Sequence, residues 1–371
     1  MNTAGIIVEF NPLHNGHIEH INKSREITGC DNIIAVMSGN FVQRGEPAIY
    51  DKWQRTKMAL QNGVDIVLEL PVPYVIAGAD YFARAGVGIL HASGVVDALC
   101  FGSESGNLHE IKTAGEILAN EPKLYKEVLR TELDAGMSFA AARGAGLAAC
   151  IGEVSDGLLT MPNNCLGIEY CKALKLLQSD MQVFTTHRLA GGPSATKIRQ
   201  SLADNKKVAR LDDFSNIFKY LLYTKPDAVA EMGEGLGNRF MKFCEGTISE
   251  ILDKVKTKRY TYTRLQRAVL GLILGISATD MQLYEESGSV QYIRILGFRK
   301  NAENIVGEIT KKASLPVVTC GATMDRLVDG KYGYAGAKMI LQELTAGDIY
   351  RIATGECGGY NSERGVGIIV V

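Results

Sequence analysis

The sequence predicts an open, doubly wound α/β sheet, and three observations predict it. Its first hundred residues carry short Ile/Val/Leu runs that are apolar throughout rather than alternating, the mark of strands buried on both faces. Helix-compatible segments separate these runs, so successive strands run parallel with right-handed crossovers. The chain has 371 residues, too many for one ordinary core, so two or three domains are expected.

The elements follow in order. GIIVEF (5–10) is the first strand, and the polar stretch from about 15 to 28 the first helix. NIIAVMS (32–38) repeats the strand pattern, and KWQRTKMALQNG (52–63) is an amphipathic helix stopped by glycine. DIVLELP (65–71) is a third strand closed by proline, DYFARAGVGILHASG (80–94) a helix, and VVDALCFGS (95–103) a fourth strand. A helical insertion is expected over about 106–160. The core then resumes with PNNCLGIEYCKALKLL, a strand at MQVFTT and a helix at SATKIRQSL (194–202). From about 210 the pattern changes: DDFSNIFKYLLY and TRLQRAVLGLILGI read as amphipathic helices, followed by a small α/β element at 290–320. The expected division is therefore 1–209 for the first domain and 210–371 for a mainly helical α/β second domain.

Composition removes several function classes. The chain is 46% hydrophobic and 22% charged with a formal net charge of -1, so a polyanionic partner must meet a local basic patch. MNTAGIIVEFNP has no basic region of the kind that opens a signal peptide, and AVLGLILGI (268–276) is far short of a membrane span. The eight cysteines include no C-x-x-C pair, which reads as reduced thiols in a cytoplasmic protein.

Half of the six histidines lie in NPLHNGHIEH (11–20), just after the first strand. Open α/β sheets bind ligands at the carboxyl ends of their strands. His14 and His17 share one face of a first helical turn, and Gly16 lets a ligand approach the backbone. Amides at a helix N-terminus attract phosphate, and imidazoles add hydrogen bonds as charge develops. This favours a nucleoside triphosphate site that cleaves between the α- and β-phosphates. On the short motif alone, a metal site using His20 and Glu19, or purely structural histidines, are the alternatives. Histidines at three successive i, i+3 positions rotate round a helix and rarely converge on one ion, and no distant Cys/His set accompanies them, so no metal ligand is assigned.

SGNFVQRGEPAIYDKW (38–53) is a loop on the same edge. In it Gln43 and Arg44 are placed to orient a carboxylate or phosphate, and Asp51 to hold a base or attacking amine, or else to cap the following helix. In SATKIR, the hydroxyls of Ser194 and Thr196 with Lys197 and Arg199 suit phosphates; an ordinary capped helix is the plain alternative. KVKTKRYTYTRLQR (254–267) is the best nucleic-acid patch: Lys254, Lys256, Lys258, Arg259, Arg264 and Arg267 are interleaved with Tyr260 and Tyr262, without an acidic residue. Arg299 and Lys300 in YIRILGFRKNAEN (292–304) are a second candidate.

A strand, H-x-G-H and helix with Ser-x-Thr-x-Ile-Arg downstream resembles the nucleotidyltransferase superfamily that shares its fold with class I aminoacyl-tRNA synthetases. The resemblance narrows further. VEFNPLHNGHIEH, VMSGNFVQRGEPAIYDKWQRTKMAL, GVDIVLELP, FGSESG, PNNCLGIEY and SATKIR run in order through roughly the first 200 residues and are similar to the bacterial tRNA(Met) cytidine acetate ligase family. That resemblance implies a Rossmann-like ATP-binding catalytic domain and a C-terminal tRNA-binding domain. It implies activation of acetate by ATP, with Mg2+ on the phosphates, as acetyl-adenylate. The acetyl group then passes to N4 of the wobble cytidine of elongator tRNA(Met), with that base flipped out of its loop. It also implies nucleotide contacts at Ile7, Val8, Glu9, Phe10, Asn11, His14, Asn15, Gly16, His17 and His20. Further contacts are implied at Gly102, at Asn163 or Asn164, at Arg188, and at Ser194, Thr196 and Arg199. Many relatives carry a longer loop after that first arginine, where only LAGGP (189–193) stands here. The rival reading is a small-molecule carboxylate adenylyltransferase or ligase of the same superfamily; a third is an RNA-binding module with a vestigial nucleotide site.

Overall fold

The structure, a computed structural model, describes residues 2–152, 157–187, 198–199, 201, 208–230, 232–233, 235–257, 260–355 and 362–371. The expected contacts Arg188, Ser194, Thr196, Lys197, Lys258 and Arg259 lie outside the described residues.

The chain begins with β1 (Thr3–Val8), α1 (Asn15–Thr28) and β2 (Asn32–Ser38). A small hairpin, β3 (Phe41–Val42) and β4 (Glu46–Pro47), precedes α2 (Lys52–Gln61) and β5 (Ile66–Leu70). Then come α3 (Val72–Val75), α4 (Ala79–Ala92) and β6 (Ala98–Ser103). The expected insertion is three helices, α5 (Leu108–Asn120), α6 (Lys123–Asp134) and α7 (Phe139–Ile151), followed by α8 (Pro162–Leu176) and β7 (Gln182–His187).

The strands β5-β2-β1-β6-β7 lie side by side, all parallel, so the order reverses between β1 and β6. Both faces are covered, which is why the strands are apolar along their whole length. Ile6, Ala35, Val67 and Cys100 pack with Ile21 of α1 and Leu60 of α2. Val36, Leu68, Leu99 and Phe101 pack with Leu90 of α4 and Ile168 of α8. Gly86 lets α4 lie against β1, because a Cβ there would sit 2.8 Å from a methyl of Ile7.

The sheet crosses the expected boundary at residues 209/210. Strand β8 (Ile293–Phe298) pairs antiparallel with β5, with β9 (Val317–Val318) and β10 (Ile369–Val370) beside it. Without β8, β5 would present an open apolar edge to solvent. The rest of 210–371 is mainly helical, including Ser215–Thr224, Leu236–Lys242, Ile248–Val255, Tyr262–Leu274 and Ala278–Glu286. The longest helix, Tyr334–Thr354, was not foreseen: it is buried on several sides, so its sequence carries no one-sided apolar stripe. Among the described residues no helix is long and apolar enough to cross a membrane.

Candidate active site

The site lies at the carboxyl ends of β1 and β6, where the strand order reverses, the position at which open α/β sheets bind ligands. Leaving β1, the chain passes Glu9 and turns at Phe10, whose φ of 48° is left-handed and costs about 1 kcal/mol in a side chain of this size. The turn aims residues 11–14 back over the strand end. His14 then caps α1: its Nδ1 accepts the Gly16 N–H at 3.1 Å. An Nδ1 that accepts leaves the proton of neutral His14 on Nε2, where it is a donor. Gly16 leaves room for this cap, because a Cβ would crowd the His14 ring at 3.0 Å.

His14 and His17 stack with ring centroids 3.8 Å apart, and Phe10 meets the His17 ring edge-on at 5.2 Å. His20 lies one turn further along, its Nδ1 2.8 Å from Thr186 Oγ1 on β7. Thr186 is the register partner of Gly102 at the end of β6. The three histidines and Gly102 thus share one corner of the sheet, while His20 is tied to β7 rather than stacked with the other two. Arg199, on the described part of SATKIR, reaches the same loop and donates to the Asn11 carbonyl at 3.0 Å.

Several expected contacts are corrected. The Phe10 side chain is buried beneath His17 with 1% exposure, and the Asn11 amide oxygen accepts the Ile49 N–H at 2.8 Å. Both side chains are spent on shaping the loop. Asn164 is fully buried: its Oδ1 accepts the N–H groups of Glu104 and Ser105 at 3.0 and 3.1 Å, holding the turn after β6. Asn163 is half-buried and is held by Glu104 through its Nδ2 at 2.7 Å, so of the doublet it alone lies toward the surface. Asp51 is the cap of α2, accepting the Gln54 N–H at 2.7 Å, rather than a holder of base or amine.

Gln43 and Arg44 sit at the turn of the β3–β4 hairpin, with Arg44 exposed. The Gln43 N–H donates to Glu9 Oε1 at 2.6 Å, fastening the hairpin to the end of β1. Burial pushes the Glu9 carboxyl up, opposed by that hydrogen bond and by Arg55, Arg44 and Arg199. Three arginines thus surround one buried acid, leaving this corner an excess of positive charge.

The sequence reading missed what lies underneath. Arg55 of α2 is fully buried and donates to the carbonyls of Glu9 at 2.6 Å, Tyr50 at 3.0 Å and Gly39. One guanidinium therefore fixes the exits of both β1 and β2. Beside it Lys52, also fully buried, meets Glu69 at 2.6 Å, Glu363 at 2.7 Å and Glu343 at 3.2 Å. Arg294 of β8 bridges Glu69 at 2.8 Å and Glu363 at 3.1 Å. Glu69 and Glu343 share a hydrogen bond. The two cations hold Glu69 down at about 2, while burial and the Glu69 charge push Glu343 up to about 8. Glu343 thus keeps the shared proton, and the cluster balances two cations with two anions. A signal for it existed: Lys52, Arg55, Thr56 and Ala59 fall on one helix face, and Glu69 interrupts an apolar strand.

The basic run divides. Lys254, Lys256 and Arg264 are exposed, Arg267 and Tyr262 half-buried. Tyr260 is not a stacking face: it is a core residue at 6% exposure, with the Arg264 guanidinium 5.4 Å from its ring centroid. The run reaches the site through the hairpin, because a Cβ on Gly45 would lie 2.6 Å from the Arg267 backbone N, and Gln266 donates to Glu46 at 3.2 Å. Arg299 and Lys300 lie at the opposite edge of the sheet, where Arg299 pairs with Asp65 at 3.6 Å. They are removed from the candidate surface. Among the described residues no three His, Cys, Asp or Glu side chains gather as a metal site.

A family model described as HIGH Nucleotidyl Transferase matches residues 1–213 and 191–363. The chain is 38% identical to the tRNA(Met) cytidine acetate ligase of a Thermoanaerobacter strain, over 95% of this chain and 96% of that protein. It is 36% identical to the protein of the same name from Acetivibrio thermocellus, over 86% and 88%. Among solved structures it is similar to Thermotoga maritima TmcAL bound with alpha-thio ATP. That match has a TM-score of 0.92 and 30% identity, covering 100% of this chain and 99% of that one.

Proposed function

Since the chain belongs to the tRNA(Met) cytidine acetate ligase family of HIGH nucleotidyl transferases, we propose that it acetylates N4 of the wobble cytidine of elongator tRNA(Met), using ATP and acetate. The observation that carries the reading is the stacked pair His14 and His17 at the N-terminus of α1, at the reversal of strand order. A triphosphate there meets imidazole N–H groups and the positive end of a helix dipole.

The reaction has two steps. An acetate oxygen attacks the α-phosphorus and the bond to pyrophosphate breaks, giving acetyl-adenylate. The cytidine N4 then attacks the acetyl carbon, loses a proton, and AMP leaves. Neither step requires a nucleophile from the protein, so its work is positioning and charge stabilisation. His14 and His17 bind the phosphates and stabilise the charge that develops as pyrophosphate departs, with Arg199 and Arg44 adding cations from two sides. Gly102 gives the nucleotide close backbone approach, and Asn163 is its partner rather than Asn164. Arg188, Ser194 and Thr196 complete the phosphate contacts in this reading. Magnesium would arrive on ATP's own phosphate oxygens, which suits a site whose described residues offer no carboxylate cage.

For RNA, the exposed cations Lys254, Lys256 and Arg264, with Lys258 and Arg259, form the phosphate-binding face. The hairpin carries that face to the histidine corner. Helices beyond residue 210 present the tRNA even though β8 belongs to the shared sheet. The reaction places the protein in the cytoplasm, where tRNA, ATP and acetate meet. Incubation with ATP, radiolabelled acetate and bulk tRNA tests all of this: label in tRNA supports it. Label only in a small molecule supports the rival ligase, and no ATP consumption leaves an RNA-binding module.

A further inference from the structure

A groove of about 510 Å3 opens where β5 ends, on the same edge of the sheet as the histidines but away from them. Pro73 and Ala77 form one wall, Ala268 and Gly271 of the helix Tyr262–Leu274 the other, and Arg264 and Arg267 project from that helix. Small residues on the facing walls, with Ile76, Met232 and Met281 beside them, make the slot mainly apolar.

Arg267 is the unusual member. It is half-buried, yet among the described residues its guanidinium makes no hydrogen bond or ion pair. Burial and the adjacent Arg264 hold its pKa below the ordinary guanidinium value, with Asp80 partly offsetting them. The other charges on the groove are engaged: Lys338 pairs with Asp280, and Arg264 lies over the Tyr260 ring. A guanidinium half removed from water with no hydrogen-bonded anion, only the longer-range charge of Asp80, is costly, and a phosphate would relieve it.

Position narrows the choice of phosphate. The turn of the β3–β4 hairpin rests on the Arg267 backbone, and Gln43 of the same turn is fastened to Glu9 at the end of β1, so the hairpin links the edge of the groove to the histidine corner. In the order β5-β2-β1 the two strand ends are two neighbours apart, about 10 Å. That is the reach of about three nucleotides at the ~3.4 Å per residue of a stacked strand, and fewer when splayed. We infer that the groove holds a nucleotide flanking the reacting cytidine, its base in the apolar slot and its phosphate on Arg267. This rests on the RNA-acetylating reading above and adds a second, non-reacting nucleotide subsite to it.

The test uses unmodified elongator tRNA(Met) transcript and a second transcript with abasic nucleotides on both sides of the target cytidine. Affinity is measured by filter binding over a salt series, and acetylation by label transfer. R267A should weaken binding about tenfold and lower the salt slope by about 0.7–0.9, while R267K keeps most of the affinity. The exposed rim residue Ala278 supplies the steric probe: A278W, checked for folding by thermal melting, should cost about tenfold on the intact transcript. The abasic transcript should lose a similar factor with wild type and little more with A278W. A full salt slope in R267A, or abasic and A278W losses that multiply, overturns the groove. If binding depends on Arg267 but no acetyl group reaches RNA, the acetylation reading fails and the groove stands as an RNA site. Acetylation indifferent to Arg267 and to flanking bases leaves the activity and removes the groove.

Discussion

Replacing Lys52 with methionine removes the ammonium of a fully buried cluster while keeping the length of its side chain. In the native protein two cations, Lys52 and Arg294, face the anions Glu69 and Glu363, with Glu343 holding its proton. K52M leaves one anion uncompensated, and breaking a buried pair this way costs about 3–5 kcal/mol. There is an escape that limits the loss. A carboxyl of ordinary pKa can take up a proton, at about 1.4 kcal/mol for each unit that the solution lies above that pKa, or about 4 kcal/mol at pH 7. The folded-state pKa of that carboxyl then stands above its unfolded value, so its contribution is present in acid and lost as pH rises. Urea unfolding should therefore show K52M about 4 kcal/mol less stable than wild type at pH 7, but only about 1 kcal/mol less at pH 5. K52M/E69Q, which removes one charge of each sign, should lose less than about 2 kcal/mol at pH 7. A deficit in K52M below about 1 kcal/mol at pH 7, or one that does not change with pH, refutes the charge count.

Three further outcomes follow from the same geometry. Because the Glu343 carboxyl is raised in the folded protein to about 8, wild-type stability should decline between roughly pH 4.5 and 8; E343Q, which keeps the hydrogen bond to Glu69, should flatten that decline in thermal melts. H17A should slow acetate-dependent ATP–pyrophosphate exchange by about a hundredfold or more while filter-binding affinity for tRNA stays close to wild type; equal loss of both contradicts the division of labour. R55K should raise the KM for ATP and lower kcat for exchange, because a lysine cannot span the Glu9, Gly39 and Tyr50 carbonyls together; unaltered kinetics would show that the strand exits do not need this clamp.

The parallel core was legible because burial on both faces writes itself into sequence as unbroken apolar strands, and NIIAVMS became β2 residue for residue. The H-N-G-H segment was legible as a helix start because histidines three apart and a glycine between them are local features; that His14 itself caps the helix was not foreseen. Non-local features were not. β8 joins β5 across more than two hundred residues, and no local pattern in either strand names its partner. The charge cluster gathers Lys52, Glu69, Arg294, Glu343 and Glu363 from distant segments; Glu69 inside an apolar strand hinted at a buried charge, but no local pattern named its partners. Tyr260 misled for the related reason that a tyrosine between basic residues looks exposed until the helix packs. Asp51 was ambiguous between cap and ligand, and the local cap prevailed.

The account stands most directly on a crystal structure of this protein with a non-hydrolysable ATP analogue. It predicts the triphosphate at the start of α1, within hydrogen-bond distance of His14 and His17, and the adenosine toward Gly102. Nucleotide density elsewhere, or a metal ion coordinated by those two imidazoles in place of phosphate, contradicts it.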